Sequence, residues 1–334
     1  MSGLEEAKRY LGDDMVRYRE ALSAEVHSGD SFVNSISNYI LAHKGKEFRP
    51  VLSLFTGRAC GGLTDSSYFV AVVAEMLHSA TLMHDDVADE ATLRRNHPTV
   101  GALFSSTAAV LVGDFWLSRA LHILTTKCAP KIISVFTEAV QKMAEGELIQ
   151  MGKAKSLDMN ESDYFAVIER KTSALFVACA KSAAYAANAS NMMVDAFEKY
   201  ALHLGNAFQI RDDIFDYSED LDTGKMAGAD LKERKITIPL LCAMEQNPLR
   251  EKYIRERIAL IDEKKKNPED YSAQELSVIK EVVAFVKENR GIENAQKKLE
   301  EQGTLAIKAL DFLPDSKEKE FLTGFAEYVG KRVN

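Results

Sequence analysis

Leu82-Met83-His84-Asp85-Asp86-Val87-Ala88-Asp89-Glu90 lies within a long run, starting near Ser67, that contains neither proline nor glycine. On a helix, Asp85 and Asp89 project from one face with their side-chain roots about 5–6 Å apart. Carboxylates so placed repel each other unless a cation sits between them. A hard ion such as Mg²⁺ binds through one or two carboxylates and keeps positions open for substrate phosphates. Arg94 and Arg95 follow shortly after, and guanidinium groups match phosphate oxygens well. Taken alone, the cluster is equally compatible with a solvated acidic helix surface.

Upstream, Gly61-Gly62-Leu63-Thr64-Asp65 is a break that ends in helix-capping residues, so the long helix begins just after it. Its apolar positions Val70, Val73, Ala74, Leu77 and Thr81 step by three or four. Residues 4–28 and 31–43 carry amphipathic periodicity, and the basic turn Lys44-Gly45-Lys46-Glu47-Phe48-Arg49-Pro50 leads into a helix at 51–61. Downstream, Asn96-His97-Pro98-Thr99 closes the helix region, and helices are predicted over 103–126, 131–152, 161–187 and 193–218. The polar stretch from Tyr217 to Lys235 is expected to be a mobile loop. Helical patterning resumes at 238–246, 250–264, 272–289, 291–310 and 316–331. With seven prolines and no strand alternation, the reading is all-α, a single domain over 1–334 with roughly a dozen helices.

Of the 334 residues, 46% are hydrophobic and 28% charged, a globular composition. A formal charge of −8 argues against a nucleic-acid partner. Cys60, Cys128, Cys179 and Cys242 lie far apart and form no metal-binding pattern, so they are expected to be thiols in a reducing compartment. No leader is recognisable at the N-terminus, and no apolar run approaches the roughly 20 residues of a membrane span. A cytoplasmic protein without a transmembrane segment is expected.

A second acidic cluster changes the weight of the first. Phe208-Gln209-Ile210-Arg211-Asp212-Asp213-Ile214-Phe215-Asp216 repeats the DDxxD spacing on another predicted helix. One such motif arises by chance in roughly a tenth of chains of this length and composition, two in far fewer. Two such helices facing each other across a bundle would place carboxylates on opposite walls of one pocket, suited to Mg²⁺ and a diphosphate.

The ordered motifs resemble those of the trans-isoprenyl diphosphate synthases, or polyprenyl synthetases, nearly end to end. They are Gly45 to Pro50; Glu75 to Glu90 with Arg94-Arg95; Val112-Gly113-Asp114-Phe115; Glu145 to Gln150; Arg170-Lys171-Thr172; Phe208 to Asp216; Gly224-Lys225; and Asp230 to Pro239. The resemblance implies an isoprenoid-synthase helical bundle with a deep central cavity, a homodimer, and a cluster of about three Mg²⁺ ions per site. It implies that Asp85, Asp89 and Asp212 ligate metal, with Asp86, Asp213 and Asp216 supporting them. Arg94, Lys171, Lys225 and Lys235 match groups that grip an allylic diphosphate. Lys46, Arg49, His78 and Arg95 match those that hold isopentenyl diphosphate, and Thr172 and Gln209 lie near the carbocation. The implied reaction is ionisation of the allylic substrate, attack by the isopentenyl double bond, and proton loss to the departing diphosphate. Closure of the Tyr217–Lys235 loop would exclude water.

The chain departs from the family pattern at a few positions. Lys44 stands where glycine is usual and Glu47 where arginine is common, and Asn96, Ser105 and Arg234 also occupy glycine positions. Glu47 is expected to be a neutral surface change, and Asn96 and Arg234 to affect loop closure. His84 and His122 are expected to be hydrogen-bonded structural histidines. Asp114 is expected to partner a core cation, and Glu145 and Glu147 to join a buried polar network.

Thr81, Leu77 and Ala74 descend about 6, 12 and 16 Å below Asp85 on nearly one helix face. In the family, bulky aromatics at the positions of Ala80 or Thr81 stop product growth early, and here both residues are small. A long-chain product of about six to ten isoprene units is therefore expected, for a quinone side chain and handed on to membrane enzymes. The alternatives are a farnesyl or geranylgeranyl diphosphate synthase, a terpene cyclase, and a non-catalytic partner subunit. The cyclase lacks support because the second motif is aspartate-rich, and the partner subunit because both motifs are intact.

Overall fold

Gly12, at φ 52°, separates the first two helices, Ser2–Leu11 (α1) and Asp13–Glu25 (α2), where the periodicity predicted one. The computed structural model describes residues 2–217, 227–262, 265 and 271–330. The chain folds as two compact units: Met1–Val140 with Leu175–Lys199 and Ala309–Phe325, and Gln141–Ala174 with Tyr200–Lys308 and Ala326–Asn334.

In the first unit α3 (Ser31–Ala42), α4 (Phe48–Ala59), α5 (Asp65–Ala88), α6 (Val100–Leu103) and α7 (Ser106–Lys127) follow α1 and α2. The Thr64 N–H donates to Ser67 Oγ at 3.0 Å, so the start of α5 satisfies one of its own exposed donors. Every residue from Val70 to Leu77 is buried. The sequence pattern predicts an apolar stripe on α5, but the helix is enclosed on all sides there, with α2, α4 and α7 packed against it.

Past Ala88 the chain forms a two-residue antiparallel ladder, Leu93–Arg94 (β1) with His97–Pro98 (β2), which the sequence pattern did not reveal. Its loop residues, Arg95 and Asn96, have φ of 52° and 65°. Two left-handed residues in a two-residue hairpin loop make a type I′ turn, which favours asparagine or glycine. That accounts for Asn96 standing at a glycine position. At Ser105 φ is 176°, an extended backbone, and its hydroxyl caps α7 by accepting from Ala108 N–H at 3.0 Å.

By length and composition α7 is apolar enough to cross a bilayer, contrary to the sequence expectation. It nevertheless packs along α5 and α3 and carries Asp114 and Arg119.

The remaining helices are α8 (Pro130–Ser156), α9 (Glu161–Ile168), α10 (Ala174–Ala186), α11 (Asn191–Asp216), α12 (Ala229–Lys232), α13 (Ile238–Gln246), α14 (Pro248–Ile258), α15 (Ala273–Glu288), α16 (Gly291–Lys308) and α17 (Lys317–Gly330). The predicted helix 161–187 is interrupted by a π-helical turn at Glu169–Ser173. Within the second unit α13 packs on α16, α15, α14 and α9.

Candidate active site

Both acidic motifs sit at the C-terminal ends of long helices that have no basic residue in the last turn. The helix dipole places partial negative charge there, so carboxylates are disfavoured and a cation is favoured. In the first unit Asp85 is half-buried and Asp89 exposed. Asp89 is not inside the helix as expected but caps it, its N–H donating to the Asp85 carbonyl at 2.8 Å. The one-turn spacing survives. Asp86 is buried and accepts from Arg94 Nε at 2.7 Å. Burial nevertheless raises its pKa, outweighing Arg94.

Near this turn, the Arg49 guanidinium lies over the Phe176 ring at 4.9 Å, and Arg95 presses against Gly45. A Cβ on Gly45 would lie 2.5 Å from Arg95 Nη1, so glycine is what permits the approach. Enclosure of His78, reinforced by Arg49, Arg95 and Arg94, drives its pKa well below 6.5. The imidazole is therefore neutral at physiological pH and offers one N–H donor without adding charge. Lys46 is exposed at the edge of the loop.

Lys171 and Thr172 are carried by the π-helical turn, a local irregularity that re-aims side chains within a helix. Gly146 of α8 abuts it so closely that a Cβ would meet Lys171 N at 2.7 Å. A cavity in this second unit is lined by Gln150, Lys171, Thr172, Gln209, Asp213, Asp230 and Lys235, with Met159, Val167, Ile168 and Ile236 among its apolar walls. Lys171 Nζ reaches Glu147 at 2.5 Å and Gln150 at 2.7 Å.

Thr172 Oγ1 donates to Gln209 Oε1 at 2.6 Å, and Gln209 Nε2 donates to Asp213 at 2.8 Å. The other Asp213 oxygen accepts from Tyr164 at 2.6 Å. Asp213 is thus fully engaged, and burial, with Asp230 nearby, pushes its pKa well up. Asp212, one residue earlier, is exposed. Asp216 accepts from the N–H groups of Ala229 and Asp230 at 2.8 and 3.1 Å, which anchors α12. Burial and then Asp230 raise Asp216 to about 6. Burial works against the Lys235 charge, but Glu233 and Asp230 more than compensate and hold its pKa above the ordinary value.

Sequence reasoning missed Tyr164 and the half-buried Asp230, although Asp230 heads a quoted motif. Lys225 and the loop segment 218–226 lie outside the described residues. Ala74, Leu77 and Ala80 are buried on α5, and half-buried Thr81 donates its hydroxyl to the His78 carbonyl at 2.9 Å.

Other expectations need correction. Asp114 is 59% exposed and sits 3.4 Å from His84, so it is not a core partner. His84 also lies 3.3 Å from the Val110 carbonyl, the structural role expected of it. Glu145 is exposed, and Glu147 pairs with Lys171.

Arg234 has φ 56°, which explains why glycine suits its position, but its guanidinium also donates to the carbonyls of Ile261 and Ala259 at 2.6 and 2.9 Å. Arg234→Gly removes both bonds, which outweighs the relieved strain. A net loss of about 1–2 kcal/mol is expected in urea denaturation.

Residues 30–275 match the Polyprenyl synthetase family model. The chain belongs to the polyprenyl synthetase family. It is accordingly a prenyltransferase, with the all-α isoprenoid synthase fold. This polyprenyl synthetase is 34% identical to the octaprenyl diphosphate synthase of Escherichia coli (strain K12) over 331 residues, covering 98% of this chain and 99% of that one. A decaprenyl diphosphate synthase structure from Rhodobacter capsulatus superposes with a TM-score of 0.89 at 29% identity, covering 99% of each chain. A polyprenyl synthase structure from Caulobacter crescentus CB15, complexed with calcium and isoprenyl diphosphate, gives 0.87 at 27% identity over 98% of each chain. The full-length similarity is thus to long-chain trans-prenyl diphosphate synthases.

Proposed function

We propose that this polyprenyl synthetase condenses isopentenyl diphosphate head-to-tail onto an allylic diphosphate and repeats the step to a long-chain trans product. The observation that carries the reading is the pair of cation-demanding helix ends, each accompanied in its own unit by basic groups. Arg49, Arg94 and Arg95 accompany the first and Lys171 and Lys235 the second. Two diphosphates, one per substrate, give both sets of basic groups a purpose.

The family is Mg²⁺-dependent. The donors in each unit fit that ion: Asp85 and Asp89 in the first and Asp212 in the second are half-buried or exposed carboxylates, few enough to leave coordination positions for diphosphate oxygens. Bound Mg²⁺ would supply positive charge that neutralises the diphosphate as a leaving group. Asp86 orients Arg94, while Asp213 and Asp216 brace α11 and α12 behind Asp212.

Lys171 and Lys235, which line the cavity of the second unit, grip the allylic diphosphate. Lys46, Arg49 and Arg95 take the isopentenyl diphosphate by charge, and neutral His78 by hydrogen bonding. Because Thr172 gives its proton to Gln209, its remaining oxygen lone pairs are available to the developing cation. The departing diphosphate accepts the proton lost in condensation, and no protein nucleophile takes part. Val110, Leu111 and Leu121 form an exposed apolar face of α7 suited to a second copy of the chain.

The test is incubation with farnesyl diphosphate, isopentenyl diphosphate and Mg²⁺, followed by product chromatography. Diphosphate release that requires both substrates, with products of about six to ten isoprene units, is expected. Farnesyl diphosphate as the only end product from shorter primers would overturn the long-chain assignment.

A further inference from the structure

Glu47 is not the neutral surface change its sequence context suggests. It is 3% exposed, and its backbone adopts a left-handed φ of 56° at the start of α4. A side chain other than glycine takes that conformation only where its surroundings hold it.

Arg19 of α2 grips the carboxylate with both tines, Nε on Oε1 at 3.1 Å and Nη2 on Oε2 at 2.6 Å. Lys44 reaches Oε1 at 2.7 Å and Lys8 of α1 approaches Oε2 at 3.6 Å. Burial opposes the charge, yet Arg19 and Lys44 hold the carboxyl below the usual range, so it is ionised at neutral pH. The two departures from the family pattern, Lys44 and Glu47, are therefore one interaction. A carboxylate next to a diphosphate-binding loop would repel its ligand, but three cations around it reverse the local sign. Its neighbours are Lys46 on one side and, two residues on, Arg49 in the first turn of α4.

We propose that Glu47 is a positioning residue for isopentenyl diphosphate, fixing through Arg19, Lys44 and Lys8 the left-handed turn that presents Lys46 and Arg49. The inference rests on assigning Lys46 and Arg49 to that substrate. Glu47→Gln keeps the shape and removes the charge that gathers the three cations.

Steady-state kinetics with each substrate varied in turn provide the test. In Glu47→Gln the KM for isopentenyl diphosphate is expected to rise about tenfold, while kcat and the KM for farnesyl diphosphate stay within about twofold. Arg19→Gln should move the same KM in the same direction by a smaller factor, and it decides the matter if Glu47→Gln does not fold. An unchanged isopentenyl diphosphate KM in folded protein, or equal rises for both substrates, overturns the proposal. Lys46→Ala separates the two levels. If it raises that KM while Glu47→Gln and Arg19→Gln do not, the positioning role alone falls. If it changes nothing, the substrate assignment falls and the proposal with it.

Discussion

Asp85→Ala and Asp212→Ala are each expected to slow condensation by about a thousandfold or more. The effect follows from where the carboxylates sit. Asp85 occupies the last turn of α5, and Asp212 follows Arg211 just before the last turn of α11, so both lie toward the negative ends of their helices. Removing either charge lessens the negative charge near a helix C-terminal end. It also removes a ligand for the cation that leaving-group departure requires. Diphosphate release measures the loss of activity, and thermal unfolding with and without Mg²⁺ measures the loss of metal binding. Mg²⁺ should raise the wild-type melting temperature in the presence of inorganic diphosphate and do so less in either variant. Normal activity in both would reduce the motifs to acidic surface. Asp86→Ala provides the contrast: Asp86 is buried against Arg94, so its loss should destabilise the fold as well as impair activity.

How well the sequence anticipated these groups depends on the range of the interactions that place them. The DDxxD spacing is a local property of a helix, and the all-α architecture followed from periodicity sustained between few breakers. Glu47 was misread because its burial comes from Arg19, Lys44 and Lys8, and two of those three lie on helices far from it in sequence. The π-helical turn at Glu169–Ser173 leaves the hydrophobic period almost unchanged, so Lys171 and Thr172 were recognisable only through a motif. The hairpin at Leu93–Pro98 has strands too short for alternation, although Arg95-Asn96 carried part of a turn signal. Gly12 followed by Asp13 and Asp14 did mark a helix start, but the amphipathic pattern running across it concealed the break.

Ala80→Phe is expected to convert the product distribution from long chains to markedly shorter ones. Ala80 lies on α5 little more than one turn before Asp85 and is 2% exposed. The added ring has no vacant solvent to occupy, so it either displaces buried neighbours or projects into the space the growing tail must use. Overpacking of the first kind costs about 1–3 kcal/mol and lowers stability without selecting a chain length. Obstruction of the second kind leaves the first condensations intact and blocks later ones, because an early allylic tail ends above residue 80 and a longer one must pass it. The outcomes separate experimentally: chromatography of products reports length, and the rate of the first condensation reports damage to the metal site. Shorter products with a near-normal first step assign Ala80 to the wall. An unchanged length distribution in a folded, active variant would place the tail elsewhere and leave the small residues at Ala80 and Thr81 as packing against the enclosing helices.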